Sequence, residues 1–225
     1  MSKAKTLTGL TAAAVIAALG TGGCGEKQTY PPAPGTAGVA AHYEAPGAND
    51  ERTAEMEEAY HALLAEHTQH VRGVANLFDL PVAYDVAYLS WPVTNAELKA
   101  RAMRRIWDEA TYEAEREKAA AQHRESYVFR LSLYTENLKE NRLGGAEGSP
   151  WKAFLVVGGK RVAPSRVRQI SGKDSELTWL FPPLDRFEKL YEIEFPRTPA
   201  PAEIPARLEL TGFPDTTYSE WYLSR

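Results

Sequence analysis

WKAFLVVGGKRVAP, residues 151–164, carries the clearest structural signal in the chain. An apolar run from Trp151 to Val157 meets Gly158-Gly159, and a second short run follows from Lys160. Two consecutive glycines accept the positive φ angles of a two-residue type I′ turn, whose twist suits antiparallel strands. The stretch predicts a β-hairpin, and a period of two extends outward from it. In YVFRLSLYT (127–135), Tyr127, Phe129, Leu131 and Leu133 share one face while Arg130 and Ser132 take the other. KLYEIEF (189–195) places Tyr191, Ile193 and Phe195 inward and Glu192 and Glu194 outward. YDVAYLS (84–90), ARLELTG (206–212) and SEWYLS (219–224) read as further short strands. With a less regular segment near Trp179, about seven strands are expected.

Two stretches break this rhythm. Met56, Tyr60, Leu63, Leu64, His67, Val71, Val74 and Phe78 recur at spacings of three and four, predicting a helix over 50–80 that starts at Asp50 and stops at Pro81. Thr94 and Glu97 stand in the spacing of a capping box, predicting a second helix over 94–122. The expected fold is mainly β with helical additions (α+β). It is an antiparallel two-sheet sandwich over 81–225, with one N-terminal helix packed on it and one long helix inserted between its first two strands.

The N-terminus reads differently. MSKAK carries Lys3 and Lys5, and TLTGLTAAAVIAALGTGG is uncharged, small and apolar up to Cys24. A basic start, an apolar segment and a small-residue cleavage zone form a secretory signal peptide over 1–23. The apolar part is too short to span a bilayer, which takes about 20 residues. Gly22 and Gly23 before the lone cysteine resemble a bacterial lipobox, although Thr21 stands where an aliphatic residue is preferred. The reading is lipid attachment at Cys24 by palmitate-type acyl chains. Export without lipid, or a buried free thiol, are the alternatives. With one cysteine no internal disulfide can form.

Residues 24–49 are rich in Pro, Gly and Ala, the composition of a flexible linker. As a coil it would reach about 25–30 Å. The chain carries a net charge of −4, which becomes −6 once Lys3 and Lys5 are removed with the signal peptide. That balance argues against a nucleic-acid partner.

YDVAYLS followed by a helix, then ESYVFRLSLYT, SPWKAFLVV, RVAPSRVRQI, FPPLDRFEKLYEIEFP and the closing RLEL and EWYL, resembles in layout a group of uncharacterised exported bacterial lipoproteins. The resemblance covers about residues 82–222. It implies an exported β-sandwich with a helical insertion, and no catalytic residues.

Candidate chemistry is sparse. In HALLAEHTQH, His67 and His70 lie one helical turn apart and are weak candidates for metal ligands, but no HExxH or cysteine ligand accompanies them. Ser149-x-x-Lys152 lacks the helix and the partner triplets of penicillin-recognising enzymes. VVGGKR lacks the glycine and Ser/Thr of a phosphate loop. The acids of Asp108-Glu109 and Glu113, Glu115 and Glu117 fit a solvated helix face. Trp179, in LTWLFPPL, is the candidate for a partner contact. No cofactor is indicated. The sequence therefore points to a lipid-anchored protein facing the periplasm or cell exterior, bound to the membrane through its lipid. Its expected role is a non-enzymatic binding or interaction module with an envelope protein or glycan partner. An exported hydrolase or metal-dependent enzyme with a site near His67 and His70 is the first alternative, and a periplasmic ligand carrier with a cavity between helices and sheet is the second.

Overall fold

The structure, a computed structural model, describes residues 50–72, 82–135, 141–144, 149–198, 205–212 and 216–223. Cys24, the signal peptide, the linker and Pro81 lie outside the described residues. In chain order the first elements are α1 (Asp50–Glu66), β1 (Thr68–Arg72), β2 (Val82–Tyr88), α2 (Trp91–Arg105) and α3 (Glu109–Glu125). Next come β3 (Ser126–Thr135), β4 (Lys152–Val157), β5 (Lys160–Val162) and β6 (Arg166–Ile170). The last are α4 (Asp174–Leu180), β7 (Lys189–Pro196), β8 (Ala206–Thr211) and β9 (Thr216–Trp221). Among the described residues the helices hold as many residues as the strands, in keeping with the α+β class.

The strands form two antiparallel sheets, one in the order β1-β2-β3-β7-β6 and one in the order β5-β4-β8-β9. Gly158 and Gly159 turn the β4–β5 hairpin at φ of 55° and 79°, as the sequence requires. The alternating positions of β2, β3 and β7 face the second sheet. Tyr84, Val86, Phe129, Leu131, Ile193 and Phe195 meet Leu155, Leu208, Leu210 and Trp221 there. Phe129 sits at the centre, its ring edge-on to Phe195 at 5.8 Å and to Trp221 at 5.2 Å. Burying each such aromatic side chain contributes about 1.5–3 kcal/mol.

The opposite face of the five-stranded sheet is not open to water. Tyr60 and Leu64 of α1, Val93 and Ala100 of α2, and Phe181 after α4 cover Ala87, Leu89, Val128 and Leu190. The molecule thus has three layers: helices, five strands, four strands. Strand β3 lies between both neighbours and is buried on both faces. Residues that alternation marks as outward on β3 are therefore interior.

Four expectations need correction. The first helix ends at Glu66 rather than near residue 80, and β1 follows at once. The cause is local: the Thr68 hydroxyl donates to the Leu64 carbonyl at 2.7 Å, and His67 Nδ1 donates to Leu63 O at 2.9 Å. These bonds satisfy last-turn carbonyls and release the chain into pairing with β2, from Thr68 opposite Ala87 to Arg72 opposite Ala83. The inserted helix is two helices, lies between the second and third strands, and starts at Trp91 rather than Thr94. Pro92 favours that earlier start, because the first turn needs no amide donor there. Thr94 and Glu97 consequently form no capping box. The segment holding Trp179 is helix α4, not a strand, and the described residues form nine strands rather than about seven.

The break between α2 and α3 falls at Ile106, at φ 52° and ψ 50°. Ile106 N donates to Met103 O at 3.2 Å and Trp107 N to Ala102 O at 2.9 Å, the bond pair of a Schellman motif. Trp107 folds back on Leu98, Ala102 and Tyr112 to close the corner. Asp108 then caps α3 by accepting from Thr111 N at 2.8 Å.

Candidate functional site

Antiparallel register sets rows of side chains across the helix-facing side of the larger sheet. One row runs Ala87, Arg130, Glu192, Arg168, and the next runs Val128, Glu194, Arg166. Ala87 of β2 and Val128 of β3 give this face an apolar patch, and α1, α2 and α4 pack on it. The β7–β6 half carries charges that cannot be buried dry at low cost. An open cleft of about 770 Å³ remains there, walled by α2, α3, α4, β6 and β7.

A chain of alternating charges crosses its floor. Arg101 NH2 donates to Glu97 Oε1 one turn away on α2. Arg130 NH1 donates to Glu97 Oε2 at 2.9 Å, and its NH2 lies 3.8 Å from Glu192 Oε2. Arg168 NH2 donates to Glu192 Oε1 at 2.8 Å, and Arg166 NH1 reaches Glu194 Oε1 at 3.4 Å. Arg130 also donates to the Tyr60 hydroxyl at 3.1 Å, and that hydroxyl donates to Leu180 O at 2.6 Å. One guanidinium therefore joins α1, α2, α4 and two strands.

Electrostatics follow from burial. Burial pushes the Glu97 carboxyl up, but Arg130 and Arg101 more than offset this and hold it below the ordinary carboxylate value. Burial opposes the charge on Arg130, and Glu97, Tyr60 and Glu192 overcome it, raising its pKa above the usual value. Tyr60 is raised chiefly by burial and secondarily by Glu97, so it stays a neutral donor. The pair is charged and mutually dependent.

His123 of α3 is a further buried polar group of the cleft, 2% exposed. Its Nε2 lies 2.8 Å from Thr94 Oγ1 and its ring is edge-on to Trp91 at 5.7 Å. Burial, with Arg197 adding to it, pushes its pKa down to about 4, so the imidazole is neutral at physiological pH.

The residues singled out in the sequence fall elsewhere or take other roles. His67 lies in the α1–β1 turn, bonded to its own helix, and its carbonyl accepts from Trp221 Nε1 at 3.2 Å. His70 lies on β1, with Nδ1 2.7 Å from Asp85 Oδ1, an oxygen shared with Arg72 NH1 at 2.9 Å. The two imidazoles thus hold different partners, and among the described residues no three His, Cys, Asp or Glu side chains are grouped to hold a metal. Ser149 Oγ donates to Arg142 O at 2.9 Å in a loop, while Lys152 begins β4, so they share no helix.

Trp179 does reach the cleft wall. It packs on Tyr60 at 5.7 Å, its carbonyl accepts from His61 Nε2 at 2.8 Å, and the Arg104 guanidinium lies 5.2 Å from its ring centre. The acids of α3 behave as a solvated face, with Glu113 paired to Arg116 and Glu115 to Lys118. Arg130, Glu97, Tyr60 and His123 are the site residues that sequence pattern passes over. The available signal was an arginine inside a strand flanked by Val128, Phe129, Leu131 and Leu133.

Comparison with protein-family models finds no match for the chain, and a search of curated proteins finds no similar sequence.

Proposed function

We propose that this protein is a non-catalytic binding module of the bacterial envelope, held at a membrane by lipid on Cys24, and that it binds its ligand in the helix–sheet cleft. The observation that carries the reading is the cleft itself: about 770 Å³ of open volume above a floor whose charged groups are tied to three helices and two strands. Small-molecule sites are concave, with a few polar groups placed to orient the ligand, and this cleft supplies the concavity with a larger share of charge. Lipid attachment at Cys24 is supported by the basic, apolar and small-residue order of residues 1–24 and by the resemblance in layout to exported lipoproteins. Among the described residues no helix is long and apolar enough to cross a membrane.

Native mass spectrometry of the protein released gently from its host membrane tests the binding reading. It should show a bound small molecule that disappears in Gln122→Trp, where an indole from α3 fills the cleft. A chain of bare mass in every preparation, or a ligand retained in full by the blocked variant, would refute it.

A further inference from the structure

The charges in the cleft are unbalanced in a definite sense. Seven basic side chains line it against six glutamates, on a chain whose net charge is −4. The glutamates at the floor are already committed. Glu97 gives both oxygens to Arg101 and Arg130, and Glu192 gives both to Arg168 and Arg130. The arginines are not. Arg101 and Arg168 each place one terminal nitrogen on a carboxylate and Arg166 does the same, with no other hydrogen bond among the described residues. Their side chains are 27%, 48% and 59% exposed, so the spare donors are accessible. Arg105, at the same end of α2, lines the cleft without any hydrogen bond or ion pair among the described residues. The orphaned buried polar atoms on cleft-lining residues are all nitrogens: Arg130 Nε, His123 Nδ1 and Trp179 Nε1. Two of these are obligate donors. The site thus has spare arginine donors on both α2 and β6, beside the carboxylates of Glu115, Glu125 and Glu176 that also line it.

Resting on the cleft-binding reading, we propose that the cleft takes a small polyanion with two or more phosphate or carboxylate groups, held between Arg101 and Arg105 of α2 on one wall and Arg166 and Arg168 of β6 on the other. Guanidinium forks match carboxylate and phosphate oxygens in pairs, which is the chemistry spare arginine donors select.

Isothermal titration of the detergent-solubilised chain with pyrophosphate, citrate, inorganic phosphate, neutral maltose and cationic putrescine tests this. Pyrophosphate or citrate should bind, more weakly as salt rises. Arg105→Gln and Arg168→Gln should each weaken binding by about tenfold or more. Lys152→Gln, an equal charge change on β4 outside the cleft, should not. Arg105→Gln should also change the melting temperature without ligand little, because Arg105 makes no hydrogen bond or ion pair among the described residues. Absence of binding by both polyanions, or equal weakening by Lys152→Gln, overturns the assignment. So does binding only to phosphatidylglycerol vesicles, which would make the surface a lipid-headgroup contact. Maltose or putrescine displaced by Gln122→Trp would sink the anion while preserving the cleft as a binding site.

Discussion

Replacing Arg130 with methionine removes a cation whose side chain is 3% exposed and which donates to Glu97, the Tyr60 hydroxyl and the Leu180 carbonyl. Methionine fills much of the same volume, so the loss is electrostatic rather than a cavity. Breaking a buried pair by removing one partner costs about 3–5 kcal/mol, because the other charge stays uncompensated. Glu97 keeps Arg101, a partner 27% exposed, which places the expected cost near the lower end, about 3 kcal/mol. For a body of this size that corresponds to a fall in Tm of about 6–12 °C. Removing both charges in Arg130→Met/Glu97→Met should recover most of the loss, since an apolar pair of similar volume often matches a buried ion pair. Urea unfolding followed by tryptophan fluorescence and far-UV circular dichroism gives both values and their coupling. A single-variant loss below about 1 kcal/mol, or a double variant that loses the sum of two large penalties, would refute the description of this network as a closed buried pair.

Three further outcomes follow from the same physics. His123 titrates at about 4 when folded against 6.5 in the ordinary state, so the unfolded chain binds the proton first as pH falls. Stability should therefore drop by about 3 kcal/mol between pH 6.5 and 4, and His123→Gln should remove that part of the slope; an unchanged pH dependence contradicts it. Ile106 occupies left-handed backbone at φ 52° with its side chain 73% exposed, so it bears strain without packing in return. Ile106→Gly should raise stability by about 0.5–1 kcal/mol in chemical denaturation, and any destabilisation would show that the side chain has a role in the fold. Cell fractionation of Cys24→Ser should find the protein released from the membrane pellet, and full retention would point to a different anchor.

What the sequence disclosed followed the range of its signals. The β4–β5 hairpin was legible because two glycines and flanking alternation act within a few residues. The sandwich interior was legible for the same reason: Phe129, Leu131, Ile193 and Phe195 lie at period two and do meet in the core. The cleft was not, because it depends on a third layer that alternation cannot report. Arg130 reads as outward, and the helices bury it, while Glu192 lines the cleft they leave. Local rules also failed where tertiary partners competed. Thr94 and Glu97 match a capping box, yet one bonds His123 and the other Arg130, each distant in sequence. Likewise Val71 continues a helical period but sits on β1 opposite Tyr84, since cross-strand pairing outweighs a stripe of apolar spacing.

The proposed placement of this body at an envelope surface rests on lipid attachment at the lone cysteine. Growth of the native host with an alkyne-bearing fatty acid, followed by click labelling of the purified wild type and Cys24→Ser, reads acylation that depends on that residue. The account predicts a labelled chain whose N-terminus starts at residue 24 and no label on the serine variant. Equal labelling of both, or an unlabelled wild type that keeps residues 1–23, would contradict it.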